Sequence, residues 1–129
     1  MMNESRAGVL LLSVLPEGHT PLLEALRQRA IPVEVARSGR HAVRKLRSHP
    51  VLVLVDLVHG PALDSASVQR VNASRKAGTV LGLHDGDLGR FADELDALVV
   101  DGFCRAGEWA PIVELASESF NVVAAAPLN

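Results

Sequence analysis

Apolar runs and helical patterns alternate five times along the 129-residue chain, with turn residues between them. The first run extends from Gly8 to Val14. Thr20 and Pro21 then supply an N-cap and a first-turn proline, and Leu22, Leu23 and Leu26 follow at helical spacing. Pro32 to Arg37 alternates Val33 and Val35 with polar neighbours, as a strand with one wet face does. Ser38 is placed to cap a second helix that turns Val43 and Leu46 inward and Arg40, Arg44, Lys45 and Arg47 outward, and Pro50 stops it. Val51 to Val55 is apolar on both faces, the mark of a central parallel strand. A third helix is expected from a cap at Asp64 to Gly78, anchored by Val68 and Val71. Thr79 to His84 reads as the fourth strand, and Leu88, Phe91, Leu95 and Leu98 share one stripe of a short fourth helix. Leu98 to Cys104 reads as the fifth strand, interrupted by Asp101. The last helix opens near Glu108, takes Pro111 in its first turn and buries Ile112, Leu115, Ala116, Phe120 and Val123.

Strict βα alternation implies a parallel sheet with right-handed crossovers and helices on both faces. The second and fifth strands are the most polar and belong at the edges, whereas the first and third belong in the middle. The expected fold is therefore a doubly wound, three-layer α/β sandwich in one domain, residues 1–129, with a five-stranded sheet of order 2-1-3-4-5, the flavodoxin-like winding.

Composition supports a packed core: 48% of residues are hydrophobic and 22% charged, which argues against intrinsic disorder. The single cysteine, Cys104, excludes an internal disulfide and multi-cysteine zinc sites, and it suits a reducing cytoplasm. Val9 to Leu15, after Arg6, has the apolar character of a signal segment but lacks a small-residue cleavage site, so a buried strand is expected. No apolar run approaches the ~20 residues that span a bilayer, so no membrane role is expected. The net charge of −2 hides an asymmetry. Residues 1–78 carry eleven Lys/Arg against six Asp/Glu, and residues 79–129 carry two against nine. In an α/β fold such a split becomes two faces of opposite sign, suited to meeting a charged partner.

Ligands of a doubly wound sheet gather beyond the carboxyl ends of its strands. Ser13, Glu17 and His19 follow the first strand there, and Asp56 and His59 the third. His84, Asp85 and Asp87 follow the fourth, and Cys104 and Arg105 the fifth. The apolar run ending in Asp56 and Leu57, with Pro61 in the next loop, resembles the third strand and phospho-acceptor aspartate of the receiver domains of two-component response regulators. Gly8 to Glu17 is similar to that family's first strand without gaps, and the likeness in element order covers nearly the whole chain. The resemblance implies a CheY-like signalling module and identifies Asp56 as the acceptor position. It also identifies departures. Receivers hold Mg²⁺ with two adjacent acids where this chain has Ser13 and Val14, and Val14 offers a hard cation no ligand. The hydroxyl residue after the fourth strand is replaced by His84. The lysine ending the fifth strand is Arg105, followed by Ala106 in place of proline, and the aromatic switch position falls at Gly102.

The expected reading is a pseudo-receiver, with no enzymatic activity, no cofactor and no metal, that signals through protein contacts. Asp56 is expected to pair with Arg105 as a structural anion. His19, His59 and His84, with Asp85 and Asp87, are expected to be solvated loop residues, not metal ligands, and Cys104 a small core residue. The basic row Arg37, Arg40, Arg44, Lys45 and Arg47 has no helix-turn-helix and no aromatic platform beside it, which argues against nucleic acid. The family's output face implies an interaction surface at Asp93, Glu94, Asp96, Asp101 and Glu114, met by a partner with a basic surface, a second copy included. Two other readings remain: a phospho-accepting receiver with degenerate metal ligands, and a small flavodoxin-like ligand-binding domain or enzyme. The segment Leu11 to Leu26 also resembles the opening of nucleotide-sugar glycosyltransferases, but those enzymes need two larger domains.

Overall fold

The computed structural model describes residues 8–48, 50–58, 79–86 and 101–125. Five parallel strands are joined in the order β2-β1-β3-β4-β5, as the polarity of the strands requires. They are β1 (Val9–Leu12), β2 (Val33–Ala36), β3 (Leu52–Asp56), β4 (Thr79–His84) and β5 (Gly102–Arg105). The described helices are α1 (Thr20–Gln28), α2 (Gly39–Lys45) and α3 (Trp109–Ala125). Single 3-10 turns, Pro16–His19 and Leu46–Ser48, precede α1 and follow α2. The expected third and fourth helices, with Asp64, Val68, Val71 and Leu88 to Leu98, lie outside the described residues.

Side-chain alternation divides the central strands between two dry faces. Val9 and Leu11, Leu52 and Leu54, and Leu81 and Leu83 form one cluster with Leu22, Leu23 and Leu26 of α1 and Ile112, Val113, Ala116 and Phe120 of α3. The alternate residues Leu10, Leu12, Val53, Val55 and Val80 are equally buried outside that cluster, and α2 packs over β2 and β1 with Ala42 and Leu46 buried. Burial on both faces explains why β1 and β3 read as uninterrupted apolar runs. Gly8 meets the Pro32 carbonyl so closely that a β-carbon there would collide with it, which fixes a residue without a side chain at the entry to β1.

One local expectation needs correction. Thr20 is not the cap of α1. The 3-10 turn makes it the first helical residue, its hydroxyl donates to the Glu17 carbonyl at 2.9 Å, and His19 takes the cap position. Asp101 stands just before β5 with both its groups turned to Val80, its amide donating to the Val80 carbonyl at 2.7 Å and its carboxylate accepting from the Val80 amide at 2.8 Å, while the expected strand residues 98–100 lie outside the described residues. Ser38 does cap α2, its hydroxyl oxygen accepting from the His41 amide.

Candidate functional site

The carboxyl end of the sheet gathers three polar side chains in the interior. Asp56 ends β3 and is 0% exposed, Ser13 follows β1 at 0%, and His19 ends the turn before α1 at 1%. The sheet register sets Leu12 of β1 beside Val55, so the next residues, Ser13 and Asp56, emerge side by side. The Ser13 hydroxyl donates to Asp56 Oδ2 at 2.6 Å while its oxygen accepts from the Leu15 amide at 3.0 Å. The Val58 amide donates to Asp56 Oδ1 at 2.7 Å, closing a local turn of the kind aspartate favours. His19 Nε2 lies 3.1 Å from Oδ2. Both carboxylate oxygens therefore face internal partners.

Its partners set the expected Asp56–Arg105 ion pair aside. The side chain of Arg105 lies over Gly86 instead: a β-carbon on that residue, whose φ is +108°, would stand 3.5 Å from Nη2. No Asp56–Arg105 pair occurs among the ion pairs of the described residues. The expectation that His19 is solvated also fails. The 3-10 turn tucks its ring under α1 and edge-on to Trp109, the first residue of α3, with ring centroids 5.8 Å apart at 80°. The signal was present in the sequence: His19, Leu22, Leu23 and Leu26 stand at positions i, i+3, i+4 and i+7, so His19 extends the buried stripe of α1 by one turn.

The remaining candidates stand apart from this group. Val14 is 39% exposed and Glu17 is exposed, bonded to Arg37 at 2.7 Å. That bond holds the Glu17 carboxyl below its ordinary value, with its own backbone contributing next. His84 Nδ1 accepts from the Gly86 amide at 3.0 Å, and its ring meets Phe103 edge-on. Asp85 is exposed. Cys104 is half-buried against the core, and desolvation, followed by the charge of Glu108, raises its thiol above the usual range. Glu114 pairs with Arg29 of α1 at 3.1 Å, and Arg29 also donates to Ser117. His59, Asp87, Asp93, Glu94 and Asp96 lie outside the described residues.

Ser13, His19 and Asp56 have the composition of a hydrolytic triad but not its geometry. Such a triad needs the serine hydroxyl bonded to the histidine, which removes its proton. Here serine and histidine converge on one carboxylate oxygen, and all three are closed to solvent.

No family model matches the chain, and no curated protein matches it by sequence. Solved structures do match its fold. A two-component response regulator from Legionella pneumophila aligns with 88% of this chain and 99% of its own at a TM-score of 0.68 and 17% identity. The receiver domain of a sensor histidine kinase from Pseudomonas aeruginosa, solved with magnesium in its active-site cleft, covers the same shares at 0.67 and 19%. A CheY-like receiver domain from Methanospirillum hungatei aligns over 91% of this chain and 95% of its own at 0.67 and 14%.

Among the described residues the donors around Asp56 do not suit magnesium. Ser13 spends its hydroxyl on Asp56 and the Leu15 amide, Val14 is apolar, and Glu17 is turned to Arg37. Among the described residues no three His, Cys, Asp or Glu side chains are grouped to hold a metal. The five-stranded parallel sheet of order 2-1-3-4-5 and its flanking helices are those of the CheY-like, flavodoxin-like fold.

Proposed function

We propose that the chain is a receiver-type signalling module that acts by protein–protein contact without phosphorylation and without chemistry of its own. The observation that supports this is the closure of Asp56: it is fully buried, and Ser13, His19 and the Val58 amide meet its two oxygens. Phosphoryl acceptance needs a carboxylate oxygen free to attack and a cation to neutralise developing charge on the transferred group. Both oxygens of Asp56 are engaged, and among the described residues those around it supply no second carboxylate for a cation. His84, at the position of the family's hydroxyl, accepts from the Gly86 amide, and the side chain of Arg105, at that of the lysine, lies over Gly86.

The contact surface belongs on the acidic second part of the chain. Asp93, Glu94 and Asp96 remain its proposed centre. Asp101 and Glu114 contribute less, since one carboxylate is bonded to the Val80 amide and the other to Arg29. A partner with a basic surface fits, and the exposed Arg40, Arg44 and Arg47 around α2 of a second copy form such a surface.

Incubation with a small-molecule phosphodonor and Mg²⁺, followed by intact mass measurement, tests the reading. The expected outcome is an unmodified chain; a phosphoryl adduct on Asp56 would overturn it. Lysine at 93, 94 and 96 together is expected to slow partner association and leave the melting temperature in place, because exposed charges act chiefly on encounter.

A further inference from the structure

Charge is sorted between the two edges of the sheet. β2 and β5 are its outermost strands, and at about 4.8 Å per strand step they stand on the order of 19 Å apart. At the β2 edge, residues 37–47 hold five Lys/Arg and no Asp/Glu, and Arg40, Arg44 and Arg47 are exposed around α2. Beyond β5 the balance is reversed. The chain has no Lys, Arg or His after Arg105, and Glu108, Glu114 and Glu118 are exposed at the start of α3 and along it. We infer that the chain assembles with copies of itself head to tail, the arginine row of one copy against the acidic β5–α3 edge of the next, so that growth continues past a dimer. The inference rests on the contact reading above and gives that contact its partner, a second copy, and its geometry.

Neither set of charges is neutralised from within the chain. Arg37 pairs with Glu17, Lys45 with Glu34 and Arg29 with Glu114, but no ion pair among the described residues engages Arg40, Arg44, Arg47, Glu108 or Glu118. The distance between the edges exceeds the ~8 Å over which physiological salt screens exposed charge, so each edge keeps its field for a neighbouring molecule. A two-fold dimer sets one patch against itself, and either patch would then meet like charge. Contact between unlike edges is heterologous instead. It leaves one free edge of each sign at its ends and continues until a ring closes or a filament forms. Phe103 adds matching chemistry to the acidic edge. It lies on β5 and is 44% exposed, and arginine is the cation that stacks best on an aromatic face. The ring offers the arginine row an apolar contact, which matters because exposed charges set encounter more than affinity.

Sedimentation velocity on the full chain tests this at rising protein concentration. One series is run at about 10 mM salt, where the screening length is ~30 Å, and another at about 1 M, where it is ~3 Å. The native chain is expected to pass twice its monomer mass at low salt and to return to monomer at high salt. Arg40→Gln, Arg44→Gln and Arg47→Gln together remove the basic edge, and Glu108→Gln, Glu114→Gln and Glu118→Gln together remove the acidic one. All six positions are exposed, and an unchanged melting temperature shows that each variant folds. Each variant alone is expected to stay monomeric at low salt. Their equimolar mixture is expected to form a complex of two chains that grows no further, because only one contact between unlike edges is left. A native chain that is monomeric at every concentration, that stops at a dimer, or that grows equally at high salt would overturn the inference, and these native results stand should a variant not fold. A mixture that stays as two monomers would overturn it as well. The contact reading fails separately: a phosphoryl adduct on Asp56, read by mass, would remove its independence of phosphorylation and leave the assembly as measured, whereas a native monomer would remove the assembly and leave the contact surface to an unlike partner.

Discussion

Asp56 and Glu17 sit at the same end of the sheet, one at the tip of β3 and the other in the turn after β1, and each carboxylate meets a nitrogen base. Asp56 is closed to solvent, and so is His19 beside it at 3.1 Å. Glu17 and Arg37 are 62% and 56% exposed and stand closer, at 2.7 Å. The shorter contact carries the smaller consequence. Water and salt screen the outer pair, which also spends side-chain entropy to hold one geometry. The inner group exchanges its hydration for a fixed set of partners, so removing any one of them leaves the others without solvent to replace it.

Replacing Asp56 is the hardest blow to that inner group. Asp56→Ala takes away the acceptor shared by the Ser13 hydroxyl and the Val58 amide, and at about 1–3 kcal/mol for each the expected loss is about 3–5 kcal/mol in denaturant unfolding. Asp56→Asn keeps the shape but turns one oxygen into a donor that faces either Val58 N–H or Ser13 O–H, and it is expected to cost about 1–3 kcal/mol. A loss no larger than that of a surface substitution would show that water reaches the pocket. His19→Ala follows in rank. It opens a cavity beside Trp109 and frees one side of the carboxylate, with an expected loss of about 2–4 kcal/mol by the same measurement.

The sequence revealed the frame of this molecule more fully than its centre. Apolar runs buried on both faces located β1 and β3 in the middle of the sheet, and the mixed polarity of β2 and β5 placed them at its edges, because burial on one face or two is written directly in strand periodicity. Thr79 to His84 matched to the residue. The pocket was half legible. Register made Asp56 and Ser13 neighbours once β1 and β3 were adjacent, whereas Val14, read as the end of the first strand, lies beyond β1 at the surface. What periodicity could not give was the 3-10 turn at Pro16–His19, which shifts the cap of α1 from Thr20 to His19 and carries the imidazole inward. Without that turn, Arg105 looked like the nearest cation for Asp56. The stripe shared by His19 and Leu22 held the missing information, but a histidine beside glycine and proline reads as loop until the turn is seen.

At the outer pair the comparison predicts small effects of definite sign. The bond to Arg37 depresses the Glu17 carboxyl, so its contribution is fully present above the ordinary carboxylate value and is lost as pH falls through the lowered one. Arg37→Ala is expected to raise the Glu17 titration, followed by side-chain NMR, toward the ordinary carboxylate value while leaving the thermal midpoint where it was. A fall in the midpoint comparable with that of His19→Ala would mean that the rim is structural and the contrast drawn above is false.

The smallest expected effect is none, and it bears on the pocket most directly. Magnesium keeps several waters and demands near-octahedral oxygen geometry, so it needs at least one open carboxylate and room for its hydration shell. Asp56 is the only carboxylate among the described residues in the buried group, and displacing His19 and Ser13 from it would leave two buried polar groups to be satisfied elsewhere. Glu17 could approach only by giving up Arg37. Titration with millimolar Mg²⁺ is therefore expected to leave the amide resonances of residues 13–17, 56–58 and 105 in place, along with the indole resonance of Trp109. Saturable shifts clustered at those positions would show that the pocket opens to a cation, and the inner carboxylate would then differ from the outer one in burial alone.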